Sequence, residues 1–441
     1  MHLPKDAVIL PVSRGGLLLS ARHAVFCPVP SAELERLRVA LAEGSLSGLS
    51  AELMSSLTKH GCFDPPQAEV ETSALVQIQL TNACNLACSY CCTASGESRA
   101  SELSFEDVAS VLAETRRIHG VGAKVALLGG EPLLRSWALD AAEEALRLEL
   151  TCTLFSNGMA LIDPALARRA AELMRRGLEL RISLAGPTRA LCDEASGASR
   201  FDAVLEALHR LADFGATPIV DLMLLPQHVD TVAQHLPELR RRLPKGSVLC
   251  FGLAYHAGRE EGEHVFAARH ELEAALDRIV FEAGERIKAP TPKQRAKRRD
   301  GCACALGKHL HVRSDGGLFT CFKMEEQVGD LRQGFAQAIE RAMANPRPAY
   351  SLDLCRECPL VSLCGGGCRS DNFLYTGNPE APICGPWRVR VLSELLFEDA
   401  VDALEWPAHQ LLAEAQRRGL EAPAALPRAR RSTHLLSAAP R

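Results

Sequence analysis

The stretch TNACNLACSYCC, residues 81–92, places four cysteines within nine positions, directly after the apolar run ALVQIQL. Cys84, Cys88 and Cys91 stand at C-x3-C-x2-C, with Cys92 adjacent. Thiolates suit soft metals and iron–sulfur centres, and such short spacings let one loop wrap a single inorganic centre at little closure entropy. Three ligands leave one metal position uncovered, which lets a site take part in chemistry rather than only hold a fold. Two other readings stay open on spacing alone, a zinc site borrowing a histidine and a set of structural thiols. Zinc knuckles and ribbons usually pair two C-x2-C elements, no nearby residue supplies the second, and the next histidine is His119.

A second group lies near the other end: Cys302, Cys304 and Cys321, then Cys355-x2-Cys358-x5-Cys364-x3-Cys368 and Cys384. In all the chain has 17 cysteines in 441 residues. No basic start followed by a long apolar core opens the sequence, so a cytoplasmic, reducing compartment is expected and disulfides are disfavoured. Six cysteines, Cys27, Cys62, Cys92, Cys152, Cys192 and Cys250, carry no expected chemistry. Cys152 and Cys250 fall in apolar strands and are expected to pack in the core. The net charge of −4 and the balance of 47% hydrophobic with 24% charged residues describe an ordinary globular protein. Neither nucleic-acid nor membrane binding finds support in that field, and no uncharged run reaches the length of a membrane span.

The elements that must position the cysteines follow from periodicity. Residues 1–72 read as a small leading domain: short strands broken at Gly15-Gly16, a helix over SAELERLRVALAEG capped by Ser31 and closed by Gly44, then a second helix. Between residues 73 and 290, six apolar strands alternate with amphipathic helices, from ALVQIQLT to SVLCFGLA, and HELEAALDRIVFEAGERI closes the series. That pattern predicts an α/β fold with a parallel sheet. Six units fall short of the eight of a closed barrel, so a partial (β/α)6 TIM-like barrel is expected. Ligands in such folds sit at the carboxyl ends of the strands, where TNACNLACSYCC and GGEPLL both fall. Residues 301–390 are Cys- and Gly-rich and lack periodicity, as in a unit held by metal. Residues 391–441 read as a helix and a flexible tail.

On these residues the chain resembles the radical S-adenosylmethionine (radical SAM) enzymes: C-x3-C-x2-C after a first strand, with Tyr90 just before the third cysteine. The resemblance implies a 4Fe–4S cluster on Cys84, Cys88 and Cys91, with SAM chelating the fourth iron. It also implies one-electron cleavage of SAM to methionine and a 5′-deoxyadenosyl radical, which abstracts hydrogen from substrate. LLGGEPLL resembles the family's segment after the second strand: Gly129 and Gly130 would admit the methionine amino group to the backbone, and Glu131 and Pro132 complete the motif. FSNG resembles the family's TNG element, with Ser156 replacing threonine and Asn157 as a candidate contact. RISLAGP resembles SLDGP, with Ser183 directed to SAM and Ala185 where aspartate is common. Tyr90 completes the candidate cofactor contacts.

The second cysteine group, with Gly316 five positions before Cys321, resembles the SPASM extension. That implies two auxiliary 4Fe–4S clusters, one on Cys302, Cys304, Cys321 and Cys368 and the other on Cys355, Cys358, Cys364 and Cys384. A pair of zinc sites is the competing reading. SPASM relatives modify peptides and proteins, so the resemblance implies a peptide or protein substrate, in maturation of a ribosomally made peptide, and an electron donor such as flavodoxin or ferredoxin. Sulfatase-maturing members carry an aspartate base where Phe322 stands, which argues against that activity. The leading domain resembles the winged-helix domain with which peptide maturases grip a leader. Alternatives are oxidation of a small metabolite or cofactor precursor, or a non-catalytic metal-binding scaffold. No catalytic base is named by the sequence.

Overall fold

The computed structural model describes residues 2–12, 15–20, 25–63, 74–255, 257–260, 275, 279, 302, 304–356, 361 and 365–382. Two compact units emerge, the larger from residues within Ser73–Glu285 and Leu306–Pro346, the smaller from residues within Met1–Thr72, Arg286–Ala305 and Arg347–Arg430.

In the larger unit six strands lie parallel: β4 (Leu75–Gln79), β5 (Lys124–Leu128), β6 (Thr151–Ser156), β7 (Glu179–Leu184), β8 (Ile219–Leu224) and β9 (Val248–Leu253). Along β4 to β8 every second residue is buried. Val76, Ile78, Val125, Leu127, Cys152, Leu154, Leu180, Ile182, Val220 and Leu222 point into one buried core, against helices α3 (Phe105–His119), α4 (Ala138–Arg147), α5 (Pro164–Arg175), α7 (Phe201–Asp213) and α8 (Val229–Arg242). Each fully buried Leu or Val contributes about 1.5–3 kcal/mol relative to an exposed one, so a one-residue register slip would forfeit the whole stripe. The intervening residues, Gln77, Thr153, Arg181 and Asp221 among them, line the opposite face. A mixed α/β fold with a six-stranded parallel core is therefore the architecture, the partial barrel expected from the sequence.

Several local expectations need correction. A further helix, α6 (Arg189–Ser196), capped by Thr188, sits between β7 and α7. Residues after 305, without periodicity in sequence, form β10 (His309–Val312), β11 (Gly317–Phe319) and β12 (Gln327–Asp330), followed by α9 (Phe335–Ala344). β10 pairs parallel with β4, extending the sheet to nine strands in the order β12-β11-β10-β4-β5-β6-β7-β8-β9. These strands are only three or four residues long, too short for a period-2 signal to show. Cys250 is half-buried and lies on the strand face opposite Leu249 and Phe251, which pack on the core. The expected closing segment HELEAALDRIVFEAGERI, apart from residues 275 and 279, and everything in 391–441 lie outside the described residues.

The smaller unit begins with an antiparallel sheet, β1 (Ala7–Val12), β2 (Gly15–Ser20) and β3 (Val25–Pro30), and helices α1 (Leu34–Glu43) and α2 (Ala51–Lys59). Leu18, Cys27, Val29, Leu37, Leu53 and Leu57 form its core. Gly15 and Gly16 do not break a strand; they open β2. A Cβ on Gly15, at φ +152°, would lie 2.0 Å from the Val29 carbonyl oxygen, so only glycine admits that pairing. Ser31 is not an N-cap either: a short 3-10 turn over Ser31–Glu33 precedes α1, without a side-chain cap bond. Gly44 does close α1, in the left-handed conformation. Later in the same unit, Cys368 precedes α10 (Arg369–Thr376). No helix among the described residues is long and apolar enough to cross a membrane.

Candidate active site around the cysteine loop

The loop after β4 owes its shape to bonds at both ends. The Cys84 N–H donates to the Gly96 carbonyl (2.9 Å), and the Gly96 N–H to the Asn82 carbonyl (3.0 Å), closing the loop on itself. Ala87 and Ser89 donate to the carbonyls of Ser196 (3.2 Å) and Ala195 (3.1 Å) at the end of α6. Below, the nearly buried Glu102 carboxylate accepts from the Thr81 hydroxyl (2.7 Å), the Asn82 N–H (2.7 Å) and the Arg99 N–H (3.0 Å), and pairs with Arg135. One anion thus joins the start of the cysteine loop, its exit and the turn after GGEP.

Burial pushes the Cys84 thiol up to about 11, with Glu131, Cys88 and Cys91 adding to the rise. Burial also raises Cys88, opposed by Arg200, the Tyr90 hydroxyl and Arg259. Cys92 is pushed up to about 12, chiefly by burial. The first three sulfurs therefore share one electrostatic neighbourhood. Among the described residues no three His, Cys, Asp or Glu side chains stand as close as ligands of a single ion. A 4Fe–4S cluster places its thiolates on different irons, so its ligands need not converge on a point.

Gly129 and Gly130 follow β5, and the structure revises the reason for them. A Cβ on Gly129 would come within 2.6 Å of the Thr81 carbonyl oxygen, and one on Gly130 within 2.1 Å of that of Ala83. The space is taken by the cysteine loop's own backbone, which is bonded there: the Gly130 and Glu131 N–H groups donate to the Thr81 and Ala83 carbonyls (2.8 Å each). Glu131 is buried, and burial raises its carboxyl. It accepts from the Leu133 N–H (2.9 Å), the Ser156 hydroxyl (2.8 Å) and the Asn157 N–H (2.6 Å), tying β5's turn to the end of β6. Pro132 starts the short turn that follows. The Asn157 amide donates to the Asn85 side chain (2.8 Å), so FSNG reaches the cysteine loop directly.

Ser183, at the end of β7, offers its carbonyl to Arg200. Arg200 is 1% exposed, and its Nε and Nη1 have no hydrogen-bond partner. It interacts electrostatically with Cys88 and Glu131 and lies beside Tyr90 and Cys192. A buried guanidinium with idle donors is costly unless an anion completes it. Sequence reasoning missed Glu102, Arg200 and Arg259. Each is a single charged residue whose partners lie far along the chain, and no local spacing betrays such a contact.

In the second cysteine group the Cys302 and Cys304 sulfurs lie 3.0 Å apart, and that contact, with the Ala305 and Arg369 N–H groups, lowers the Cys302 thiol. Cys355 is buried with Ala349, Leu352 and Val361. Gly365, Gly366 and Gly367 all take positive φ, 69°, 74° and 74°, a run open only to glycine, immediately before Cys368. Cys321 is half-buried in the larger unit. Phe322 packs edge-on against Tyr255, ring centroids 5.5 Å apart, where the sulfatase-maturing pattern has its aspartate. Cys358, Cys364 and Cys384 lie outside the described residues.

The sequence model of the Radical SAM superfamily matches residues 78–235, from β4 into α8. The PqqA peptide cyclase of Gluconobacter oxydans is 27% identical to this chain over 336 residues, 71% of this chain and 91% of that protein. The mycofactocin maturase MftC of Mycobacterium ulcerans is 31% identical over 320 residues, 68% of this chain and 84% of its own length. Among solved structures, anSMEcpe with bound AdoMet and Kp18Cys peptide superimposes with a TM-score of 0.55 at 17% identity, over 78% of this chain and 99% of that one, a likeness of fold. With the cysteine loop, the GGEP turn and the six parallel strands in their expected places, the chain belongs to the radical SAM superfamily.

Proposed function

We propose that this radical SAM enzyme modifies a ribosomally made peptide. One observation carries the site: at the carboxyl ends of β4 to β7, three loop thiols share a neighbourhood with Glu131 and a buried guanidinium with idle donors. The donor set fits the cofactors of the family. Cys84, Cys88 and Cys91 would hold the 4Fe–4S cluster, Arg200 suits the carboxylate of SAM, and the Gly129–Glu131 backbone, Asn157, Ser183 and Tyr90 are its remaining candidate contacts. When bound, cluster and SAM supply a one-electron cleavage that yields a hydrogen-abstracting 5′-deoxyadenosyl radical. The protein's part is to hold the loop rigid, neutralise the carboxylate and keep Glu131 engaged with β6 so that no free carboxylate faces the site. The eight cysteines from Cys302 to Cys384 hold two auxiliary clusters in this reading, and a flavodoxin- or ferredoxin-type donor supplies electrons.

The peptide substrate is supported by the two relatives, named a peptide cyclase and a maturase, and by the leading sheet and helices. Leader binding by strand addition needs an edge with free N–H groups. Antiparallel ladders alternate, and Pro28 and Pro30 on β3 and Pro11 on β1 all take outward-facing positions, consistent with the register Leu17↔Pro28, Gly15↔Pro30 and Pro11↔Gly16. β3 thus loses two successive outward donors; on β1 the Ala7 N–H donates to the Pro4 carbonyl (3.0 Å), and Ile9 keeps its donor at the centre of the edge. The leader pairs with β1.

The test is anaerobic reconstitution followed by SAM, a strong reductant and the short peptides encoded beside the gene. The expected results are 5′-deoxyadenosine and a mass change in one peptide, the latter weakened by Ile9→Pro and spared by Phe26→Pro. Tightly held zinc with no SAM turnover would overturn the enzyme reading. Turnover with a small metabolite, unaffected by loss of the leading domain, would overturn the peptide reading.

A further inference from the structure

The segment after β9 returns to the cysteine loop, although β9 is the last strand of the sheet and the loop follows β4, five strands away. There Arg259 makes three bonds to one loop: its main-chain N–H donates to the Cys91 carbonyl (2.9 Å), Nε to the Cys88 carbonyl (3.0 Å) and Nη1 to the Ser95 carbonyl (2.7 Å). Gly258, at φ +68°, lies so close that a Cβ would stand 2.4 Å from the Cys91 carbonyl oxygen and 2.6 Å from that of Cys92. The fit is backbone against backbone, with a cation over it. That cation also favours the ionised form of the Cys88 thiol.

We infer that Arg259 is a positioning residue for the cluster loop, fixing the path from Cys88 to Ser95 and placing a permanent positive charge beside the centre those cysteines hold. Charge-assisted bonds to carbonyls on successive turns of a loop constrain its curvature more than any single contact does. A fixed cation stabilises the more negative, reduced form of a cluster, so it raises the reduction potential. Planarity matters as well: a guanidinium spans two carbonyls with a rigid fork, and an ammonium does not. The inference rests on Cys84, Cys88 and Cys91 as cluster ligands, not on the identity of the substrate.

The full-length reconstituted protein supplies the test. The reduced cluster bearing an open iron is followed by the change that SAM produces in its EPR signal, which separates it from fully ligated clusters. In Arg259→Ala this SAM-sensitive signal should disappear under a chelator on the order of 10-fold faster than in the wild type and should require a lower potential to appear. Arg259→Lys should restore the potential but not the chelator resistance. Arg259→Gln should do the reverse in part, keeping donors without charge, and the Lys and Gln variants carry the test if the Ala variant does not fold. Wild-type potential and wild-type chelator resistance in both Arg259→Lys and Arg259→Gln would overturn the inference. Absence of any SAM-sensitive signal in the wild type would overturn the cluster reading itself, and this inference with it.

Discussion

The two cysteine groups are built on different terms. Around Cys84, Cys88 and Cys91 the protein supplies the scaffold: strands on either side, Glu102 beneath, Arg259 above, and backbone bonds to α6 and to the GGEP turn. Around Cys302, Cys304, Cys355 and Cys368 the described residues show a close Cys302–Cys304 pair, a four-residue apolar patch at Cys355 and a run of three left-handed glycines before Cys368. The first loop is preorganised, so a cofactor that binds and leaves on every turnover meets a fixed frame. In the proposed reading the second group is held by its metal, as in small cysteine-rich units where binding energy is folding energy. An open, reactive centre needs the protein to hold its shape; a closed one can hold the protein's.

That contrast can be broken at its strongest point first. Cys84→Ala should reduce SAM cleavage to background while leaving the fold intact, because the strands and Glu102 hold the loop without metal; circular dichroism and 5′-deoxyadenosine formation check both halves. Retained cleavage would remove Cys84 from the site. Cys358→Ala should do the opposite, keeping SAM cleavage while abolishing modified peptide and loosening its own region, read as faster limited proteolysis between about residues 300 and 390. Normal product from that variant would mean that the proposed auxiliary centre takes no part in forming product.

Glu102→Ala comes next. It strands Arg135 and three donors beside a buried site, a loss of about 3 kcal/mol, and thermal unfolding should show it in the larger unit with or without metal. An unchanged melting temperature would mean the loop's frame lies elsewhere. The smallest effect is that of pH. Burial lifts Cys84 from its ordinary value of 9.0 to about 11, so folded apoprotein binds that proton more tightly than the unfolded chain. This contribution to stability is complete below about pH 9 and fades as pH approaches about 11. Cluster uptake, which must release the proton, should speed up across the same window. The difference between wild type and Cys84→Ala in apoprotein melting against pH isolates the effect; parallel curves would contradict it.

Much of this protein could be read in one dimension. The six parallel strands, their helices and both cysteine groups follow from period and spacing, because an amphipathic element and a ligand loop each carry their pattern within a few residues. The GGEP glycines were legible as a need for close approach, but not what approaches: Thr81 and Ala83 lie almost fifty residues earlier, and the chain's own carbonyls fill the space. Glu102, Arg200 and Arg259 were invisible, since a charged residue looks the same in sequence whether it faces water or a buried backbone. β10 to β12 were missed because a short strand takes its stability from the sheet it joins. Local chemistry is written along the chain; the contacts that aim it exist only after distant segments meet.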